Sequence, residues 1–313
     1  MEKDDTVLIE KEGLINSLIV NIRKNSFGIL ILTPALLYLS AFLVIILYQI
    51  IILSLTYVAP DLSETFPTVK NFLDLANNKE FIGAFKRTVI FTIIGTPLEL
   101  IVGMIAAGLI FREFKGRGIV RSLFTLPLAI PGIVTAIILF ILFDFPFGHV
   151  NDLLLGRHSF FPKVISYPIP WRSSAMFSLG VAMFGKVWRD MPISMLIILS
   201  GLQSITKDQY EAAKTMGAGA LQQFKYITLP LLIPAISTVL VLRSIEMWKE
   251  FIFPFILAGS YPLLGTLIDR AYHEWNSATE AATIGLILLF CIIIFTTFLF
   301  YILSWLRRQL VKI

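Results

Sequence analysis

Eight ionisable side chains fall inside long apolar runs: Glu99, Lys186, Arg189, Asp190, Arg243, Glu246, Lys249 and Glu250. Four are cationic and four anionic, so their formal charges cancel. Any one of them left in lipid would cost several kcal/mol, so all should face a bundle interior or water. On a helix turning about 100° per residue, Arg243, Glu246 and Glu250 lie within about 60° of one another. Lys186, Arg189 and Asp190 fall within about 100° on a second helix. Both groups, and Glu99, sit near the middle of their runs. Two kinds of chemistry fit. One is a polar path for a solute near the bilayer centre. The other is a set of structural ion pairs between helices, including pairs with a partner subunit. The residues alone leave both open. A hydroxylated solute also needs aromatic faces, but Trp188 and Trp248 project away from the charged faces, as packing residues do.

Other constellations fail on inspection. Gly180 to Lys186 nearly spells a phosphate-binding loop, but Val187 follows where Ser or Thr must hold magnesium. The segment also lies in an apolar run with no strand before it. The chain is therefore not expected to hydrolyse ATP itself. His149, His158 and His273 lack metal-ligand spacing, and there is no Ser/His/Asp arrangement, so no catalytic residue and no metal ligand is assigned. Cys291, the one cysteine, lies in an apolar run and reads as packing.

The elements that must position these charges are membrane helices. Of the 313 residues, 57% are hydrophobic, which places the chain among polytopic membrane proteins. The runs cover about 28–57, 87–111, 119–143, 175–202, 231–257 and 281–306, each long enough to span. The expected fold is all-α, with six transmembrane helices. An even number puts both termini on one side. Lysine and arginine are denser there, including Arg112, Lys115, Arg117, Arg121, Lys207, Lys214, Lys225, Arg307 and Arg308, so that side reads as cytoplasmic. The net charge of +5 thus reflects topology rather than nucleic acid. Residues 1–27 read as a cytoplasmic tail, without the pattern of a cleaved signal peptide, and 28–313 as one membrane domain. Among the outer loops, 144–174 is long and proline-bearing, with Trp171 as an interface anchor.

Residues 210–230, within a cytoplasmic loop of 203–230, form a polar, cationic island between two apolar runs. Thr206 and Gln209 have the form of a capping box, and Asp208 suits a helix start. A short helix is expected from Lys207 to Met216, ended by Gly217 in a left-handed conformation. A second helix, Ala220 to Leu229, should lead into Pro230. Glu211-Ala212-Ala213, then Gly217, then Ile227-Thr228-Leu229-Pro230, resembles the cytoplasmic signature loop of binding-protein-dependent ABC importer permeases. Leu126 to Gly132, Phe147-Gly148, Trp188-Arg189 and Gly201 to Ile205 extend that resemblance over about residues 28–306, closest to the carbohydrate-type permeases for maltose and glycerol phosphate. Met216 departs from the Asp usual there.

The resemblance implies a type I importer permease in the cell membrane, multi-pass. It forms the pore for a sugar, oligosaccharide or related solute. The loop 206–230 would dock on a separate ATPase through Tyr210, Glu211, Ala212, Ala213, Met216, Gly217 and Ala218. Implied partners are a second, related permease, two ATPase subunits, an extracytoplasmic solute-binding protein, the solute and membrane lipid. ATP and magnesium belong to the ATPase, with no cofactor on this chain. Intramembrane carboxylates such as Glu99 and Glu246 would also suit an ion-gradient-driven transporter or channel.

Overall fold

The computed structural model describes residues 26–158 and 161–310. The chain falls into two units, Met1–Leu53 and Ser54–Ile313. The tail expected over 1–27 lies outside the described residues, apart from Ser26 and Phe27. Those two already belong to helix α1, Ser26–Ser54. Its 29 residues span about 44 Å, enough for a hydrocarbon core of about 30 Å.

Among the described residues, the regular structure of the second unit is helical apart from a hairpin of two short strands, β1 (Tyr57–Val58) and β2 (Glu64–Thr65). The short α2 follows (Lys70–Asn77), then α3 (Lys79–Phe111). Helix α3 begins well before the apolar run at 87. The side chain of Asn78 accepts from the N–H groups of Glu80 and Phe81, at 2.8 and 3.3 Å, and fixes its start. Phe81 and Ala84 of that first stretch are buried, while Lys79 and Lys86 stay exposed.

The run at 119–143 does not form one helix. It becomes α4 (Arg117–Ala129) and α5 (Gly132–Leu142), bent by 93°. Pro131 disfavours helical backbone at the residue before it, and Ile130 is extended at φ −88°, ψ 128°. Beyond α5, α6 (His149–Leu154) lies in the long loop. Asn151 is fully buried there. It donates to the carbonyls of Asp144 and Ile169, and accepts from the Ile169 amide and from Trp171 Nε1 at 2.9 and 3.1 Å. Trp171 is thus held inward, edge-on to Phe143, rather than standing free as an interface anchor.

Helix α7 (Ala175–Gln203) packs along α3. A Cβ on Gly103 would stand 2.6 Å from that of Ser194, so the two backbones approach as only a glycine permits. Next come α8 (Lys207–Thr215), α9 (Ala220–Gln223), a π turn over Phe224–Thr228 and α10 (Leu229–Trp248). The second helix expected over Ala220–Leu229 forms, with a π turn in its second half, and runs on without a break to Trp248. Pro230 lacks the N–H that an α-helix would aim at Tyr226, and the wider π turn just before it absorbs that loss.

The run at 231–257 is also broken. Pro254 would clash with the carbonyl of Glu250 in a continuous helix. The backbone therefore leaves α10 after Trp248 and restarts as α11 (Ile252–Leu257), followed by α12 (Leu264–His273) and α13 (Ala278–Leu310).

Among the described residues, four helices are long and apolar enough to cross a membrane, and the bent pair would make five. The remaining long helix of the six expected is α7. Its 29 residues suffice in length, but Lys186, Arg189 and Asp190 occupy its middle. Two apolar cores stack along α3, α7 and α10. One holds Leu100, Ile110, Met191, Ile198 and Val239; the other holds Phe91, Val187, Met247 and Phe253.

Candidate functional site

The charged residues occupy the boundary between those two cores. Glu99 precedes Leu100, Asp190 falls between Val187 and Met191, and Arg243 between Val239 and Met247. Lys186 is the hub. Its Nζ lies 2.6 Å from Asp190 Oδ2, 2.9 Å from Glu250 Oε2 and 3.8 Å from Glu246 Oε2. Asp190 is shared: Arg189 Nη1 reaches its Oδ1 at 2.6 Å, and Arg243 Nη1 stands 3.9 Å from its Oδ2. Arg243 donates to Glu246 Oε2 at 2.8 Å one turn along α10. Glu99 Oε1 is 4.0 Å from Arg243 Nη1, and neither Glu99 oxygen has a hydrogen-bond partner. Side chains of Glu99 and Arg243 are 0% and 1% exposed, against 30% for Glu246, so the network grades from sealed to open.

The open side borders a cavity of about 340 Å³. Its walls include Lys186, Arg189, Asp190, Glu246, Lys249 and Glu250, with Leu128, Ile193 and Phe251. Of the sequence candidates, then, Lys186, Arg189, Asp190, Glu246 and Glu250 face the cavity together. Glu99 and Arg243 sit behind them and are not on its wall. The ion pairs foreseen as the structural reading are present within the chain, on the same residues that line the cavity. Trp248 packs against Phe295 of α13, as its position predicts, and Trp188 lines a separate apolar cavity.

The loop candidates form a second, exposed site. Gly217 has φ +81°, its N–H donates to Lys214 O at 2.9 Å, and Ala218 N–H donates to Ala213 O at 2.9 Å. That pair of bonds is the Schellman end that the glycine predicts. The capping box is not formed: Thr206 makes no side-chain cap bond, although its backbone stands at the N-cap. Tyr210 is half-buried, hydroxyl to hydroxyl with Thr228 at 3.0 Å, and tethers α8 to the base of α10. Glu211, Ala212, Met216 and Gly217 are exposed, Met216 at 87%, while Ala213 and Ala218 are half-buried.

Residues 99–312 match the family described as binding-protein-dependent transport system inner membrane component. The chain belongs to this family. It is the permease subunit of an ABC importer, a multi-pass membrane protein, and the match displaces the alternative of an ion-gradient-driven transporter or channel. The permease is 35% identical over 218 residues to a probable ABC transporter permease, y4oQ, of Sinorhizobium fredii, covering 69% of this chain and 68% of that one. It is 29% identical over 283 residues to the trehalose/maltose transport system permease protein MalF of Thermococcus litoralis, covering 87% and 93%. Among solved structures it resembles a chain of a bacterial ABC transporter involved in import of the acidic polysaccharide alginate. There the TM-score is 0.75 at 19% identity, over 92% of the permease and 98% of that chain, which establishes a shared fold.

Sequence reasoning missed one element of the permease's site. The break at residues 249–251 turns Lys249 and Phe251 onto the cavity wall and frees Glu250 to accept from the Phe253 amide at 3.2 Å. The signal was Pro254, four residues after a carboxylate inside an apolar run.

Proposed function

We propose that this permease imports a sugar, oligosaccharide or related polyol, and that the cavity at the charge network lies on the solute's path. The observation that carries this reading is the placement of convergent donors and acceptors beside the half-buried Phe251, midway along α7 and at the break that ends α10. Hydroxylated solutes need that mixture, and the likeness to a trehalose/maltose permease over 93% of its length supports the class. Glu99, Lys186, Arg189, Asp190, Arg243, Glu246 and Glu250 are its path residues, with Glu99 and Arg243 acting from behind the wall. The residues 28–313 act as one membrane domain, with both termini and the loop 203–230 in the cytoplasm. Tyr210, Glu211, Ala212, Ala213, Met216, Gly217 and Ala218 present the ATPase-docking surface.

ATP is hydrolysed on separate subunits, which carry the nucleotide and magnesium; closing of that pair draws the coupling helices together and rocks the spans outward. A second, related permease shares the pore, and a solute-binding protein delivers from outside. The test is uptake of labelled maltose and trehalose into vesicles holding the whole complex, with and without ATP. ATP-dependent uptake that disappears when the binding protein is left out is expected. Uptake driven by an ion gradient alone would overturn the reading.

A further inference from the structure

The cavity wall carries three cations and three carboxylates, yet what it offers a ligand is not balanced. Both Glu250 oxygens are engaged, one by the Phe253 amide and one by Lys186. Both Asp190 oxygens are engaged, by Arg189 and by Lys186. The Lys186 ammonium is consumed in turn, 6% exposed among three carboxylates. Glu246 commits one oxygen to Arg243 and keeps the other. The uncommitted groups are therefore mostly donors. Among the described residues Lys249 is exposed on the wall with no ion pair, and Arg189 spends only Nη1 on Asp190, its Nε being buried, which leaves Nη2 uncommitted.

We propose that the solute is an anionic sugar, a uronate-type unit whose carboxylate is received by Lys249 and Arg189. The proposal rests on the sugar-import reading above and deepens it. A carboxylate can accept a charge-assisted bond from Arg189 Nη2 and a second from the Lys249 ammonium. The free oxygen of Glu246 accepts a ring hydroxyl, and Phe251, stacked on Phe255 at 5.0 Å, offers an aromatic face to the sugar's C–H surface. A neutral sugar would leave the Lys249 ammonium facing the cavity without an ion-pair partner among the described residues.

The test uses the complete complex in vesicles, with ATP inside. Its probes are labelled galacturonate, glucuronate and their disaccharides, set against galactose, glucose and their disaccharides. Uronates should be taken up about tenfold faster than their neutral counterparts. Lys249→Gln should lower the uronate-to-neutral ratio about tenfold, and Lys249→Arg should restore most of it. Arg189→Gln should lower the same ratio. Rates are normalised to complex recovered in detergent, so a variant that assembles poorly is still read through its ratio and through the arginine rescue. Equal uptake of the two classes, or a ratio unmoved by Lys249→Gln, overturns the anionic assignment and leaves the sugar importer standing. ATP-dependent uptake of neither class removes both.

Discussion

The permease carries two polar sites built on opposite principles. The network at Lys186 is largely buried, and its partners come from α3, α7, α10 and the break after it, far apart in the chain, as Glu99 and Arg243 are. Each carboxylate there is held by a charge from another place in the chain or another turn. The loop around Gly217 is exposed, and its backbone bonds join residues three to five apart. The first site is held by charges that share partners with one another, sealed at Glu99 and Arg243 and open to the cavity at Glu246. The second is held by backbone geometry, and its side chains are left free for another surface. One site should therefore break by loss of assembly, the other by loss of function in an assembled protein.

The largest effect is expected from Lys186→Met. It leaves Asp190 and Glu250 buried without their principal cation, at 2% and 8% side-chain exposure. Removing one partner of a buried pair costs about 3–5 kcal/mol. The variant should be recovered poorly, with its thermal midpoint in detergent sharply lowered. Near-normal abundance and midpoint would show that water reaches the network freely, and the contrast between the two sites would weaken.

Next comes the pair Arg243 and Glu246. Arg243→Ala and Glu246→Ala each remove one end of a 2.8 Å bond, but Glu246 is 30% exposed and can be rehydrated. The asymmetry should show: Arg243→Ala also withdraws the cation nearest Glu99, so it should destabilise more than Glu246→Ala. In a double-mutant cycle on midpoint in detergent, the two should couple by about 0.5–3 kcal/mol. Additive losses would mean that Arg243 serves Glu99 and Asp190 rather than Glu246.

These two sites also differ in how far the sequence could be read. Gly217 was legible because a helix end is local: the glycine, its position after α8 and its left-handed backbone follow from a few neighbours. The missing Thr206 cap marks the limit even there, since backbone at the N-cap does not oblige the side chain to bond. The charged residues were legible as a set, because an apolar run makes each one conspicuous. Their pairing between helices was not, although Arg243 and Glu246, one turn apart on one helix, do pair as their spacing suggests. Helix angles placed Arg243, Glu246 and Glu250 on one face, but the break after Trp248 takes Glu250 off that helix and toward Lys186. Similarly, Pro131 and Pro254 were visible as residues, while the bend and the break they cause depend on which local conformation the surrounding helices accept.

A smaller change in stability, with a large one in transport, is expected from Gly217→Val. A Cβ at Gly217 meets nothing within 4 Å, so no clash with neighbours arises. The cost is the backbone alone, about 1–2 kcal/mol for a residue with a Cβ at φ +81°. The six-residue Schellman turn should open and re-aim Met216 and Glu211. The complex should insert and accumulate, yet ATP-driven uptake should fall to background and the ATPase should be lost more readily in detergent. Glu211→Lys should reproduce the uptake defect without the backbone cost. Normal uptake by Gly217→Val would falsify the docking assignment.

The smallest effect is expected where a charge pair lies on the exposed site. Lys207 Nζ stands 3.6 Å from Glu113 Oε1, and the two side chains are 85% and 80% exposed. The same chemistry that costs several kcal/mol to disturb at Lys186 should count for little here. Water solvates both ends, salt screens them, and two long side chains must be ordered to meet. Glu113→Gln should therefore shift stability by about 0–1 kcal/mol, within scatter for a midpoint in detergent. Since Lys207 opens α8, the substitution also asks whether the pair aims that helix. Uptake unchanged at both low and high salt is the expected result, and it would place the aim of α8 in the Tyr210–Thr228 tether and the Gly217 turn. A clear drop in uptake at low salt only would instead make the pair part of how the helix is presented, and the line between a charge-held site and a backbone-held site would have to be redrawn.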